Sequence, residues 1–427
     1  MKHLSLPYDR GYLTAQLADG RLAAVLHPVP CIAQGSSEEA VRAALSDPVS
    51  SAPLAELSIG QRKVVITTSD HTRPIPSMMT IPLILSEIRR GNPSADITIL
   101  VGMGTHRQPT NQELGAKFGE KIQGRERIVR HHGEDPAQVV AIGKLPSGFP
   151  LEINRLAAEA DLLIAEGFIN PHLFAGFSGG PKSILPGIAS HMTVKRNHCG
   201  RNIGHPKARL GIVRGNPIHE EMEAAADLAR LAFILNIVPG EGGGVSAAFA
   251  GNWREAHAKG MKFVAEHVGV PVVKSMITVT SHGGYPLDQN LYQAVKGMVA
   301  AEATTIPGGY IILVAACTDG IGSDILQSLM AGMSSPAEFC QWCESIPPDD
   351  TRPDQWTAQI LARVLASFNV ALVCESIPPG TKLLPGLTVA KSLQSALDEA
   401  MAAAGPEAMV TVVPDGSKAM PIEDYSP

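Results

Sequence analysis

The stretch DLLIAEGFINPHLFAGFSGGPK (residues 161–182) joins an apolar run to a segment rich in glycine. Its first residues, 161–165, have the length and apolar character of a buried parallel strand. The remainder is too rich in glycine for a helix and too poor in β-branched residues for a long strand. A buried strand that leads into such a loop is typical of α/β proteins, in which ligands bind beyond the strand ends.

Runs of the same strand-like character recur along the chain, and helix-like segments such as 82–90 and 217–230 separate them. The other runs are residues 64–67, 97–101, 231–238, 310–316, 370–373 and 409–413. Alternation of this kind predicts an α/β fold.

The length of 427 residues predicts two domains, because a single core rarely grows beyond about 250–300 residues. We expect an N-terminal doubly wound, Rossmann-like parallel-sheet domain over 1–270 that binds a cofactor. A smaller α/β domain over 271–407 would close on the substrate. We leave open whether the tail, 408–427, returns to the first domain.

Charge and composition go against several classes of protein. A formal net charge of −6 without a basic stripe disfavours a nucleic acid as partner. No run of about 18 apolar residues occurs, so we expect no membrane span. The segment MKHLSLPYDRGYLTAQL lacks the apolar core of a signal peptide, and the six cysteines are scattered, as in a reducing compartment. These features predict a cytoplasmic protein.

Polar side chains follow three of the predicted strands. They are Asp70, His71, Thr72 and Arg73 after the first run, His106 after the second, and His172, Ser178 and Lys182 after the third. Each could be an ordinary cap or loop residue by itself. Because the carboxyl ends of parallel strands meet at one edge of a sheet, we expect these side chains to form a ligand site.

The glycine-rich loop after the third run suggests an anion site. Ser178, Gly179 and Gly180 can turn backbone N–H groups toward an anion, and Lys182 adds an ammonium group. The spacing does not match a Walker motif, and no GxGxxG occurs there. Further on, His198 is a candidate metal ligand, but no second ligand lies near it in sequence. A metal at His198 would therefore need donors other than side chains.

A predicted helix of the second domain carries a polar group of its own. It begins near Asp288, and its Tyr292 and Lys296 share one face, with Gln293 beside them. On an ordinary surface helix this would be a solvated edge. As part of a site, Gln293 and Lys296 would bind a carboxylate.

Five motifs resemble the nickel-pincer lactate racemase family of 2-hydroxyacid racemases and epimerases. The motifs are SDHTRPIP, GTHR, HLFAGFSGGPKSILPG, KRNHCG and YQAVK, which occur in the order and spacing of that family. Trp356 matches a further position of the family. The run with the lysine is the most specific of these motifs.

The resemblance implies a cofactor, a pyridinium mononucleotide with two thiocarboxyl arms that hold nickel through sulfur, carbon and sulfur. Lys182 would form a thioamide with one arm, and His198 would be the fourth nickel ligand. The phosphate would lie among Asp70, Thr72, Arg73 and the loop Ser178–Gly180. Upstream enzymes that make the cofactor would supply it.

The resemblance also implies roles in the reaction. His106 and His172 would be the acid and base, one for each enantiomer, while a hydride moves between the substrate carbon and the cofactor. Gln293 and Lys296 would bind the substrate carboxylate, with support from Tyr292 and Trp356. Lactate-specific members carry arginine between the aspartate and threonine of the first motif, where this chain has His71. We therefore expect another 2-hydroxyacid to be at least as good a substrate as lactate.

Two other hypotheses remain at this stage. The first is a pyridoxal-phosphate enzyme in which Lys182 forms a Schiff base beside a phosphate loop. The second is a non-catalytic protein of the same fold that binds an anion or carries a cofactor. Fold alone does not decide between them, because activity depends on the site.

Overall fold

The structure, a computed structural model, describes residues 1–32, 35–240, 243–377 and 382–422. Its strands are β1 (Lys2–Tyr8), β2 (Gly11–Leu17), β3 (Leu22–Val25), β4 (Lys63–Ser69), β5 (Asp96–Gly102), β6 (Arg127–Arg130), β7 (Val139–Lys144), β8 (Pro150–Asn154), β9 (Leu162–Phe168), β10 (Pro171–His172), β11 (Gly176–Phe177), β12 (Leu231–Pro239), β13 (Val245–Gly251), β14 (Gly269–Pro271), β15 (Ser275–Ser281), β16 (Thr305–Val314), β17 (Asn369–Val373), β18 (Lys382–Leu384), β19 (Leu387–Ala390), β20 (Val410–Val413) and β21 (Met420–Ile422).

Helices connect most of these strands. They are α1 (Ser37–Ser46), α2 (Leu54–Leu57), α3 (Ser77–Gly91), α4 (Asn111–Phe118), α5 (Glu120–Gln123), α6 (Arg155–Ala158), α7 (His191–Asn197), α8 (Gly200–Gly204), α9 (Pro217–Leu228), α10 (Trp253–Val268), α11 (Leu291–Thr304), α12 (Asp324–Ala331), α13 (Pro336–Ser345), α14 (Gln355–Ser367) and α15 (Leu393–Ala404). Short 3-10 turns occur at Gly180–Ser183 and Pro348–Asp350.

The chain divides into two compact units. The first unit consists of Pro30–Asn197 and Ile212–His267, and the second of Met1–Val29, His198–Gly211 and the described residues from Val268 onward. No helix of the described ranges is long and apolar enough to cross a membrane.

The first unit contains a six-stranded sheet in the order β13-β12-β9-β4-β5-β6. All neighbours are parallel except β13, which pairs antiparallel with β12. Numbered along the chain, these strands take the order 3-2-1-4-5-6 of doubly wound folds. The predicted fold class is therefore confirmed. The strand order reverses between β4 and β9, which is where such folds bind ligands.

Apolar strands on both sides of this switch point form the core of the first unit. The fully buried residues Ile66, Ile99 and Ile164 lie in the neighbouring strands β4, β5 and β9. Helix α3 packs on them through Ile81, Ile84, Leu85 and Ile88, and this spacing places the four side chains on one helical face. The rigid core fixes the positions of the loops after β4, β5 and β9.

The second unit contains a seven-stranded sheet in the order β18-β19-β17-β16-β15-β20-β3. Its pairs are parallel except for the edge pair of β18 and β19. A smaller pair, β14 with β21, lies outside this sheet. Helix α15 packs against the seven-stranded sheet through Leu393 and Leu397.

The two compact units are discontinuous along the chain, whereas the predicted domains are continuous. Residues 1–29 and 198–211 group with the second unit, although both precede residue 271. The described part of the tail also groups with the second unit, because β20 inserts between β15 and β3 and β21 pairs with β14.

Candidate active site

The loops after β4 and β5 bring Asp70 and His106 together. His106 Nδ1 lies 2.6 Å from Asp70 Oδ2, and Asp70 Oδ1 accepts from the backbone N–H and hydroxyl of Thr72, at 2.9 and 2.5 Å. Across the ring, Arg73 Nη2 lies 3.4 Å from His106 Nε2. Because a carboxylate accepts and a guanidinium donates, the neutral ring carries its proton on Nδ1 and a lone pair on Nε2. His106 is arranged to take up a proton at Nε2.

Asp70 is ionised although it is buried. Burial alone would raise the pKa of its carboxyl group, but hydrogen bonds from His106 and Thr72, and the charge of His106, hold this pKa well below its usual value. The resulting fixed negative charge stabilises the positive charge that His106 acquires when it takes a proton.

His71 is not the cation beside His106. Its Nε2 lies 3.2 Å from Glu113 Oε1 on α4. Hydrogen bonds with Arg107 and with the backbone N–H of Thr110 lower the pKa of Glu113 to about 2, so this carboxylate is charged at neutral pH. Arg73, and not His71, is the basic side chain beside His106. The expectation of another 2-hydroxyacid rested on the residue type at position 71, and it stays a prediction.

His172 lies in a short hairpin after β9, formed by β10 and β11. The backbone N–H of Ala175 donates to His172 Nδ1 at 3.3 Å, and the ring of Phe174 contacts the imidazole edge to face at 4.6 Å. Because Nδ1 accepts here, the neutral ring carries its proton on Nε2. The two histidines thus have opposite neutral tautomers, since Nδ1 donates to a carboxylate in His106 and accepts from the backbone in His172.

The Ser178–Gly180 loop is held by protein groups. The hydroxyl of Ser178 accepts from the backbone N–H of Asn170 at 2.9 Å and is 3.1 Å from the Phe168 carbonyl oxygen. The N–H of Gly180 donates to Asn236 Oδ1 at 2.7 Å. In this structure both groups therefore have protein partners, and the expected contact of residues 178–180 with a phosphate stays a prediction.

The two glycines permit close packing around this loop. A Cβ atom at Gly179 would lie 2.6 Å from Asn236 Oδ1, and one at Gly180 would lie 2.5 Å from the His257 ring. Both have positive φ, which side chains other than glycine rarely adopt. Lys182 follows in the 3-10 turn Gly180–Ser183 and its N–H donates to the Gly179 carbonyl at 3.0 Å. The glycines place the lysine rather than exposing an anion cradle.

Two buried histidines support this segment, and the sequence analysis missed them. His257 Nε2 donates to the Ser178 carbonyl at 2.9 Å, and His219 Nδ1 donates to the Ala175 carbonyl at 3.0 Å. Their rings stack with centroids 6.2 Å apart. Burial lowers the pKa of both, that of His257 to about 3. They lie on different helices, α9 and α10, far apart in sequence, so no local motif marks them.

The second unit carries the other predicted site residues. His198 is 5% exposed, and the Trp356 ring meets its imidazole edge to face at 5.5 Å. In the ranges that the structure describes, no group of three or more His, Cys, Asp or Glu residues is placed to hold a metal ion. A metal bound by His198 would therefore take its other donors from a cofactor, and one imidazole fits a group that brings three donors of its own.

The start of α11 holds the predicted carboxylate-binding group. Lys296 Nζ donates to Gln293 Oε1 at 2.5 Å, so the group that Gln293 can offer to a ligand is its amide nitrogen. The hydroxyl of Tyr292 donates to Asp354 Oδ1 at 3.2 Å, and burial raises the pKa of this tyrosine. Asp354, which the sequence analysis missed, precedes α14 in the left-handed region with φ of 57° and accepts from Ser323 at 2.7 Å.

Two family models match the chain, the lactate racemase N-terminal domain over residues 8–211 and the lactate racemase C-terminal domain over residues 270–420. A lactate racemase of Lactiplantibacillus plantarum is 46% identical over 418 residues, which are 97% of this chain and 99% of that protein. The chain belongs to the lactate racemase family. This confirms the resemblance that the motifs indicated and the predicted class of enzyme, a racemase of 2-hydroxyacids.

Other members of the lactate racemase family give the same result. A lactate racemase of Thermoanaerobacterium thermosaccharolyticum is 45% identical, over 97% of this chain and 98% of that protein. The structure of the lactate racemase apoprotein from that organism superposes with a TM-score of 0.94 at 44% identity and covers 99% of this chain and 100% of its own. A Thermotoga maritima protein shares the fold alone, with a TM-score of 0.60 at 19% identity, over 89% of this chain and 96% of its own.

Proposed function

We propose that the protein interconverts the enantiomers of lactate, with His106 and His172 as the proton-transfer groups. The observation that carries this proposal is the Asp70–His106 hydrogen bond of 2.6 Å, with His106 Nε2 beside Arg73. It supplies a positioned base whose protonated form is stabilised by a buried charge. The relatives from Lactiplantibacillus plantarum and Thermoanaerobacterium thermosaccharolyticum are both lactate racemases.

The reaction needs a proton acceptor on each side of one carbon atom. His106 would take the hydroxyl proton of one enantiomer at Nε2, and Asp70 would stabilise the imidazolium so formed. His172, whose neutral ring carries its proton on Nε2, would take the hydroxyl proton of the other enantiomer at Nδ1 and give up the hydrogen bond from the Ala175 N–H. Each histidine would return a proton in the reverse direction. Arg73, with its fixed charge beside His106, would bind the substrate oxygen that gains negative charge.

Substrate binding would depend on α11. The ammonium of Lys296 and the amide nitrogen of Gln293 would donate to the carboxylate of lactate. Tyr292 is held by Asp354 and would line the same site, with Trp356.

The cofactor would be the nickel-pincer nucleotide of this family, held by Lys182 through a thioamide and by His198 at nickel. When bound, such a group would supply the hydride-transfer chemistry that inversion at the substrate carbon needs. The donor set of the chain fits such a group, because His198 is a single buried imidazole without a metal cluster around it in the described residues. Thr72, Arg73 and the segment that carries Lys182 would contact the nucleotide, which upstream biosynthetic enzymes would supply.

The test is expression together with the enzymes that make the cofactor, followed by a chiral assay of D- and L-lactate, intact mass and nickel analysis. We expect a mass increase located at Lys182, about one nickel per chain and racemisation in both directions. Lys182→Ala should remove the adduct and the activity, and Asp70→Asn should keep the adduct and lower kcat about ten- to a hundredfold. Racemisation by Lys182→Ala protein that carries no cofactor would contradict the proposal.

A borohydride control separates this proposal from a pyridoxal-phosphate enzyme. A Schiff base on Lys182 would be reduced to a stable secondary amine and would bind no nickel. A reduced pyridoxyl adduct on Lys182 would replace the proposed cofactor.

A further inference from the structure

Glu166 is a buried carboxylate that the proposed reaction does not use. It lies in β9 and is 1% exposed. Its Oε2 accepts hydrogen bonds from the hydroxyls of Thr68 and of Ser77, the latter at 2.9 Å, and its Oε1 accepts one from the hydroxyl of Thr80. A buried carboxylate with three hydroxyl donors is a costly arrangement, so its purpose needs an explanation.

The three hydroxyls lie at the two ends of one loop. Thr68 is the penultimate residue of β4, whereas Ser77 and Thr80 form the first turn of α3. Residues 69–76, between them, carry Asp70 and Arg73. One carboxylate therefore joins the entrance and the exit of the loop that presents the groups on either side of the His106 ring.

A lysine compensates for the charge of this carboxylate. Lys117 on α4 is 9% exposed, and its Nζ has no hydrogen-bond partner among the described residues. Burial lowers its pKa, and the negative charges of Glu166 and then Asp70 oppose this effect. The negative charges of Glu166 and Asp70 thus favour the ammonium form of Lys117, and this attraction offsets part of the cost of burying charge in this region.

We propose that Glu166 is a positioning residue, which holds the loop 69–76 so that Asp70 stays within hydrogen-bond distance of His106. The proposal rests on the proposed function, in which His106 transfers the proton. A shift of the loop by about 1 Å would lengthen the 2.6 Å contact beyond hydrogen-bond range. The base would then lose the orientation and the stabilising charge that Asp70 gives it.

The test removes the two donors to Glu166 Oε2 with the double variant Thr68→Val and Ser77→Ala. Thr67→Val is the matched control, because Thr67 is buried on the same strand and points to the other face of the sheet. Glu166→Gln is the conservative variant, since an amide oxygen can still accept from Thr68 and Ser77. If the double variant fails to fold, each single variant is measured instead.

Two readouts use the protein without cofactor. The first is the low-field NMR signal of the His106 Nδ1 proton, which a short hydrogen bond to Asp70 produces, and the second is amide exchange of Thr72. We expect the double variant to lose the signal and to exchange the Thr72 amide faster, whereas Glu166→Gln and Thr67→Val stay close to wild type. In loaded enzyme we expect kcat to fall about ten- to a hundredfold with little change in KM.

A less stable double variant that keeps the His106 signal, the Thr72 exchange rate and kcat would overturn the proposal, because Glu166 would then be only structural. His106→Ala is measured in parallel. If it keeps full racemisation, the proposed role of His106 fails, and the NMR signal still decides whether Glu166 holds the loop. If it is inactive while the double variant keeps signal and kcat, only the role of Glu166 fails.

Discussion

At the scale of single residues, the two catalytic candidates are not equivalent. His106 donates to a buried, ionised carboxylate, whereas His172 accepts a backbone N–H at Nδ1. The Asp70 carboxylate stabilises the imidazolium form of His106. When His172 takes a second proton at Nδ1, by contrast, it loses the hydrogen bond that Nδ1 accepts from the backbone. The family resemblance implied one histidine for each enantiomer, and the geometry adds that the two rings are held by different partners.

The first prediction follows from this asymmetry. His172→Ala should still oxidise one enantiomer of lactate to pyruvate in a single turnover, with His106 as base, and His106→Ala should oxidise the other enantiomer more slowly. Both should stop racemisation, because every complete turnover uses both groups. The measurement is pyruvate formed after rapid quench of loaded enzyme mixed with D- or L-lactate. The same preferred enantiomer in both variants would refute the two-histidine assignment.

The second prediction concerns Lys296. Replacing it with methionine keeps the apolar stem and removes the charge. A hydrogen bond from a charged group contributes about 1.5–3 kcal/mol to binding, which corresponds to a change in KM of roughly ten- to a hundredfold. We expect KM for lactate to rise by that factor while nickel content and the Lys182 adduct stay constant. Lys274→Met, at an exposed lysine of the same unit, is the control. Loss of nickel with unchanged KM would place Lys296 at the cofactor instead.

At the scale of elements, the strand runs were readable because buried parallel strands are continuously apolar. The runs at 64–67, 97–101 and 161–165 became β4, β5 and β9, and the polar residues after β4 and β5 are in contact through Asp70 and His106. The use of the glycine loop was not readable. Whether Gly180 faces an anion or Asn236 depends on β12, more than fifty residues later, and no local pattern records that contact.

The third prediction tests how α10 supports this loop. In the folded protein the pKa of His257 is about 3, whereas in the unfolded chain it lies near 6.5. Between these values the unfolded chain binds the extra proton, so the free energy of unfolding should fall as pH falls below about 6.5. At pH 5 the titration of His257 lowers the free energy of unfolding by about 2 kcal/mol. Above pH 6.5 this effect disappears, because the ring is then neutral in both states.

His257→Gln keeps an N–H donor for the Ser178 carbonyl and cannot titrate. Denaturant melts give the free energy of unfolding at pH 7 and at pH 5. We expect the difference between these two values to be about 2 kcal/mol smaller in the variant than in wild type. His132→Gln, at an exposed histidine of the same unit, should keep the wild-type difference. An unchanged pH dependence in His257→Gln would mean that His257 does not stay neutral in the folded protein.

At the scale of the whole molecule, the sequence located two domains but not which segments belong to each. The second unit takes its strands from both ends of the chain, since β3 pairs with β20, and it also takes residues 198–211 from the middle. Pairing between segments nearly four hundred residues apart leaves no periodic signal in either segment. A sequence pattern therefore predicts domains that are continuous along the chain, such as a division at residue 270, and does not record this exchange of segments. The family models place His198 in the N-terminal domain by sequence, and the structure places it in the second unit.

The last prediction follows from this topology. Strand β20 lies inside the second sheet, with β15 on one side and β3 on the other, and its residues Val410, Val412 and Val413 are buried. Burial of each valine is worth about 1.5–3 kcal/mol, so a chain that ends at Gly405 should lose several kcal/mol together with the ladder hydrogen bonds on both sides. We expect the second unit of this truncated chain to be cleaved rapidly in limited proteolysis, with the protected fragments coming from 30–197 and 212–267. A chain that ends at Ile422 keeps β20 and β21 and should resist protease like wild type. If the tail packed on the first unit instead, truncation at Gly405 would expose segments 30–197 and 212–267 and leave the second unit protected.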